Sequence, residues 1–144
     1  MNIVAVLATL VLTSVPPSTD AQFSNLQQVL EQYGFEVRLA SPPKRGAYGL
    51  LENSTKVIWI NPVVFELGIA RPTLVHEAVH AAQSCSGGED LRALNLEMTP
   101  PPQTRRFFLR YHSIRRQLEA EAYTVQVQPD GVEKAITLLH QHCQ

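Results

Sequence analysis

The chain has 144 residues, of which 44% are hydrophobic and 17% are charged, so it can pack one domain and carries too little charge for a disordered protein. Twelve basic and 13 acidic residues give a net charge of −1, which offers no bulk attraction for nucleic acid or an anionic membrane. No apolar stretch reaches the roughly eighteen residues that a membrane-spanning helix needs.

The first residues have the pattern of a targeting segment. An apolar run extends from Ile3 to Val15, and small residues at Thr19 and Ala21 then precede a cleavage position after Ala21. This pattern resembles a secretory signal peptide over residues 1–21, which predicts a secreted or periplasmic domain over residues 22–144 with no membrane association after cleavage. The alternative is that the run forms an apolar first helix of the domain.

The chain has two cysteines, Cys85 and Cys143. An even number of cysteines in an exported chain allows a disulfide, which would hold a C-terminal end that otherwise frays. The alternative is a pair of free thiols.

The first half of the domain predicts one helix and three strands. Apolar residues at helical spacing predict a helix that ends at Gly34. The last strand is apolar throughout, which predicts that it is covered on both faces. The predicted elements are a helix over Ser24–Tyr33 and strands over Phe35–Leu39, Ala47–Glu52 and Lys56–Asn61.

The second half predicts helices joined by a Pro-rich segment. Pro72 is suited to the first position of a helix, where a missing N–H does no harm, and we expect this helix to run to about Ala82. Residues 89–102 look irregular, a long helix is predicted over Gln103–Val127, and a last helix over Val132–His142. The order of the elements indicates an α+β fold.

The motif His76-Glu77-Ala78-Val79-His80 carries the chemistry. Residues four apart lie above one another on a helix, so both imidazoles can reach one metal ion. Glu77 projects about 100° away, where it can act as general base on a water molecule rather than as a ligand. The helix is apolar nearly all round and is expected to be buried; the apolar positions are Leu74, Val75, Ala78, Val79, Ala81 and Ala82. The alternative is that the histidines are core residues and an arginine holds Glu77.

A catalytic zinc ion needs a third protein ligand besides water. The metzincin pattern is excluded, because Ser86 stands where its third histidine would be and Gln83 where its glycine would be. The downstream candidates are His112, Glu119, Glu121, His140 and His142. Glu119 and Glu121 diverge by about 200° on a helix, so only one of them can face the metal, and periodicity leaves the choice open.

H-E-x-x-H at 76–80 followed by E-x-x-A at 119–122 resembles the gluzincin zinc metallopeptidases. The resemblance implies that Glu119 is the third zinc ligand and that Ala122 lets two helices pack closely. It also implies a zincin-like fold, in which a small antiparallel or mixed sheet of about three strands packs on an active-site helix and a long ligand-bearing helix. Tyr123 stands where many gluzincins have Asp or Asn, and we expect it to stabilise an oxyanion instead.

Gluzincins hold extended substrates along an edge strand by backbone hydrogen bonds. Residues 47–51 are the predicted edge here, and the small residues Ala47 and Gly49 would leave room for a substrate chain. An ordinary edge strand is the alternative.

The sequence therefore predicts a small monomeric zinc peptidase that acts on a peptide or protein substrate, with no nucleic-acid partner. In this hypothesis Zn²⁺ is bound by His76, His80 and Glu119, Glu77 is the general base, and Tyr123 assists. Two other functions stay open: a zincin-fold binding module without catalysis, and an exported structural domain without metal.

Overall fold

A computed structural model describes residues 20–109 and 111–144. The predicted signal peptide lies outside these residues except for Asp20 and Ala21, and a cut after Ala21 would fall in the first turn of the first helix. The elements are α1 (Ala21–Gln32), β1 (Glu36–Leu39), β2 (Gly49–Glu52), β3 (Val57–Ile60), α2 (Val63–Glu66), α3 (Ala70–Gly87), a 3₁₀ turn (Pro102–Thr104), α4 (Arg105–Phe108), α5 (Ser113–Gln126) and α6 (Gly131–His142). The predicted α+β class is confirmed.

The three strands form one mixed sheet in the order β1-β3-β2. β3 is parallel to β1 and antiparallel to β2, so the hairpin from β2 returns the chain to the middle of the sheet. β3 lies between the other two strands, as an internal strand should. Ile58 and Ile60 on one face are fully buried and Val57 on the other is buried, but Trp59 is only half-buried, so the second face is covered less completely than predicted. β2 lies at an edge of this sheet, as predicted.

α3 is the central helix of the domain. It packs against β2 and β3 and against α1, α5 and α6, so nearly its whole circumference is buried. This position explains why its sequence shows no polar face. Pro72 is the third residue of α3 rather than its first, a position whose N–H still has no partner within the helix. The helix continues to Gly87, further than predicted.

The predicted long helix over Gln103–Val127 is wrong in its first half. A 3₁₀ turn and the short α4 precede α5, which begins only at Ser113. His112 has an extended backbone with ψ 159°, and the guanidinium of Arg116 donates to the carbonyls of Leu109 and Tyr111. The Arg116 side chain therefore donates hydrogen bonds to carbonyls where the predicted helix is interrupted. The spacing of apolar residues did not indicate this interruption.

Cys85 and Cys143 form a disulfide, as the even cysteine count suggested. Cys85 lies in the last turns of α3 and Cys143 follows α6. The bond fastens the C-terminus to the helix that carries the candidate site.

None of the helices within the described ranges is long and apolar enough to cross a lipid bilayer.

Candidate metal centre

The two histidines of the motif meet on one side of α3. The Nε2 atoms of His76 and His80 lie 3.2 Å apart, and their ring centroids are 4.8 Å apart. This follows from helix geometry, since residues four apart lie one above the other. Because packing holds α3 on most sides, both rings have little freedom to turn away.

α5 supplies a third group. Glu119 Oε2 lies 3.0 Å from His76 Nε2, and Glu119 Oε1 lies 3.2 Å from His80 Nε2. The carboxylate comes from 39 positions beyond His80, so only the packing of α5 on α3 brings it there. Ala122, one turn further along α5, is fully buried, which suits close packing of the two helices.

Glu121, the other acid that the sequence left open, faces elsewhere. One of its oxygens accepts the backbone N–H of Leu94 at 2.8 Å and the other accepts that of Leu96 at 3.3 Å. Its carboxylate therefore binds the irregular segment that follows α3. Of the two acids, Glu119 is the one that joins the imidazoles.

The other histidines considered from the sequence do not join this group. His112 is exposed where α5 begins, and His140 shares a hydrogen bond with the hydroxyl of Tyr33. His142 lies in the last turn of α6.

His76, His80 and Glu119 could hold a metal ion, because a ligand atom from each lies within 4.8 Å of the others. The shortest contacts among the three groups are 3.0, 3.2 and 3.2 Å. Zinc bonds of 2.0–2.1 Å at tetrahedral angles separate neighbouring ligand atoms by roughly 3.3 Å. The spacing and the donor set thus fit a cation held by two histidines and one carboxylate.

The charges of the group are strongly coupled. Burial alone would lower the pKa of His76, but its hydrogen bond to Glu119 and the charges of Glu77 and Glu119 raise it above its usual value. Burial would raise the pKa of Glu119, but hydrogen bonds from His76 and His80 and their charges hold it well below its usual range. The guanidinium of Arg115 also lies 2.9 Å from Glu119 Oε1. Glu119 is therefore a carboxylate at neutral pH.

Glu77 is buried between α3 and the edge strand. A methyl group added at Gly49 in β2 would lie 2.9 Å from Glu77 Cγ and Oε1 and 3.0 Å from Thr73. The room that Gly49 leaves is thus filled by the Glu77 side chain, whereas the sequence suggested that it would admit a substrate chain. The absence of a side chain at Gly49 lets the carboxylate lie beside β2.

Aromatic rings close one side of the group. The ring of Tyr123 meets that of His76 edge to face, with centroids 4.6 Å apart. Phe107, from α4, stacks on Tyr123 at 5.4 Å and is 37% exposed. The Tyr123 ring therefore lies next to the candidate ligand His76.

Two glutamines that the sequence analysis did not recognise contact the outer nitrogens of the imidazoles. Gln126 Oε1 lies 2.8 Å from Nδ1 of His76, and Gln83 Oε1 lies 2.7 Å from Nδ1 of His80. A metal-ligating histidine commonly has such a partner, which orients the ring. The available signal was Gln83 itself, an amide side chain in a helix expected to be buried, three positions after His80.

No family model, no curated protein and no solved structure matches this chain.

Proposed function

We propose that this protein is a zinc-dependent peptidase of gluzincin type and zincin-like fold. The observation that carries the proposal is the convergence of His76, His80 and Glu119, with Glu77 next to His76 in the chain and buried on the same helix. Two histidines and a glutamate form a ligand set of catalytic zinc sites, in which the remaining position is open. Zinc bound there would supply Lewis acidity and would lower the pKa of a water molecule.

In this proposal Glu77 is the general base. Its carboxylate accepts a proton from the water whose oxygen attacks the peptide carbonyl carbon. The same proton passes to the nitrogen of the leaving amine as the C–N bond breaks. Burial against Gly49 limits the positions open to Glu77, which is what a proton carrier needs.

We expect the substrate to be an extended peptide. β2 pairs with β3 on one side only, and its Gly49 lies against Glu77. A peptide that hydrogen-bonds to the other side of β2 would pass close to this carboxylate. In this proposal the hydroxyl of Tyr123, whose ring contacts His76, donates to the developing oxyanion.

The decisive experiment measures zinc content and peptide hydrolysis for the wild type and the Glu77→Gln variant. The variant should retain zinc and lose at least a hundredfold in turnover, since general-base catalysis contributes roughly 10²–10⁴-fold. Glu66→Gln, at an exposed glutamate on α2, is the matched control and should leave both unchanged. Full turnover by Glu77→Gln would refute the assigned role.

One observation favours a second candidate, a zincin-fold binding module without catalysis. The side chains of His80 and Glu119 are each only 4% exposed, and that of His76 is 13% exposed. Phe107 and Tyr123 add cover on the His76 side. This candidate predicts tight zinc binding with no hydrolysis of any peptide in a random-sequence library. The third possibility, a structural domain without metal, predicts no zinc after purification.

A further inference from the structure

We infer that Gln83 is a positioning residue that fixes the tautomer of His80. Glu121 and the carbonyl of Leu118 hold Gln83 in place. The consequence of this tautomer for metal binding rests on the proposed function. The inference starts from the amide of Gln83, which is completely buried. A buried amide must satisfy both its oxygen and its nitrogen inside the protein. Its partners therefore determine which way round it lies.

The nitrogen of the amide faces two acceptors. Gln83 Nε2 donates to the carbonyl oxygen of Leu118 at 3.0 Å and to Glu121 Oε1 at 3.0 Å. A backbone carbonyl cannot donate a hydrogen bond. If the amide were turned over, its oxygen would face two other oxygens, so this orientation is excluded on electrostatic grounds.

The oxygen of the amide consequently faces His80. Gln83 Oε1 lies 2.7 Å from Nδ1 of His80 and can only accept. Nδ1 must therefore carry a proton, and in the neutral ring Nε2 is left with its lone pair. Nε2 is the atom that points to His76 and Glu119. Nε2 is therefore the nitrogen of His80 that a metal would bind, once it gives up the proton that it shares with Glu119.

Glu121 extends this chain of contacts to the segment after α3. Its carboxylate accepts from the backbone N–H groups of Leu94 and Leu96, whose donor role is fixed. Glu121 is buried, so a carboxylate with these donors has no reason to turn away from Gln83. Glu121, which the sequence offered as an alternative ligand, thus acts on the site by holding Gln83, the residue that orients the ligand His80.

The first test reads the tautomer directly in the metal-free wild-type protein. A long-range ¹H–¹⁵N spectrum distinguishes protonated from unprotonated ring nitrogens, and a His80→Gln variant assigns the signals. We expect Nδ1 of His80 to be protonated across the pH range in which the protein is folded. An unprotonated Nδ1 would overturn the inference, and this result does not depend on whether the protein binds zinc.

The second test measures zinc affinity by competition with a chelating dye. Gln83→Leu leaves Nδ1 without an acceptor and should weaken zinc binding ten- to a hundredfold, as loss of such partners typically does. Gln128→Leu removes an amide that bonds only to Thr124 O among the described contacts and should change the affinity less than twofold. An affinity of Gln83→Leu within threefold of the wild type would count against the positioning role. If the wild type itself binds no zinc, the peptidase proposal fails while the spectrum still decides the tautomer.

Discussion

Replacing Glu119 by Gln tests the third ligand with almost no change in shape. The amide keeps the size of the carboxylate but removes the negative charge that faces His76, His80 and Arg115. In the metal-free protein the substitution leaves these groups without their counter-charge. In the proposed zinc-bound state it would remove one of three protein ligands.

The size of the effect can be worked out from general values. Structural zinc sites with four ligands bind with about 10–16 kcal/mol, so one ligand accounts for about 3 kcal/mol, or about a hundred- to a thousandfold in affinity. Zinc at about 100 times the wild-type Kd stabilises the fold by about 2.7 kcal/mol, which raises the Tm of a domain of this size by about 10 °C. At the same zinc concentration the Glu119→Gln variant should gain about 2 °C or less.

The assay is thermal unfolding with and without zinc, and each variant is compared with its own metal-free form. Glu121→Gln is the comparison variant, because Glu121 is also buried on the same helix but bonds to Leu94, Leu96 and Gln83. Because Glu121 acts on the site only through Gln83, Glu121→Gln should lose less of the zinc-dependent rise in Tm than Glu119→Gln does, and Glu66→Gln, at an exposed glutamate, is the control that should keep it. A larger loss of the zinc effect in Glu121→Gln than in Glu119→Gln would refute the ligand assignment.

Three further predictions follow from the same contacts. The pKa of His76 is raised above 6.5 and the ring must lose a proton to bind metal, so the apparent zinc affinity should fall about tenfold per pH unit below that raised pKa. Protonated His76 stabilises the metal-free fold below pH 6.5, and this stabilisation is lost as the pH rises through the folded-state pKa. The zinc-dependent rise in Tm should therefore grow from about pH 6 to about pH 8. Equal affinities at both pH values would contradict this. Removing the disulfide by Cys85→Ser with Cys143→Ser opens a loop with a sequence separation of 58. The free energy of unfolding measured in urea should fall by about 4 kcal/mol. A fall of less than about 1 kcal/mol would show that closing this loop adds little stability. Gly49→Ala places a methyl group 2.9 Å from the Glu77 carboxylate. The variant should have a kcat at least tenfold lower, with its zinc affinity kept within threefold. An unchanged kcat would show that catalysis does not need Glu77 to lie beside Gly49.

The parts of the site that the sequence predicted are those that local geometry determines. His76, Glu77 and His80 lie within one turn and a half of a helix, so their relative directions follow from the helix alone. The apolar run of β3 likewise indicated an internal strand, and β3 lies between β1 and β2. No information about distant parts of the chain was needed for either prediction.

The choice between Glu119 and Glu121 could not be made in this way. Both acids flank the apolar stripe of α5, and what separates them is a pair of backbone N–H groups at Leu94 and Leu96. Those groups belong to a segment without regular structure, whose path cannot be read from periodicity. The break before Ser113 was missed for a related reason, because apolar residues continue at helical spacing across it.

The contacts between α3 and α5 bear on whether the histidines are simply core residues. A core histidine needs one acceptor and one donor, which the backbone or a single side chain can supply. Here α5 provides Glu119 to both inner nitrogens, and glutamines accept at both outer nitrogens. Four acceptors around two imidazoles leave the inner nitrogens facing each other at 3.2 Å. A cation bound between them would satisfy these inner atoms, whereas a metal-free core would need extra protons to do so. The zinc-site proposal therefore predicts that chelation destabilises the purified protein, whereas a purely structural domain would be unaffected.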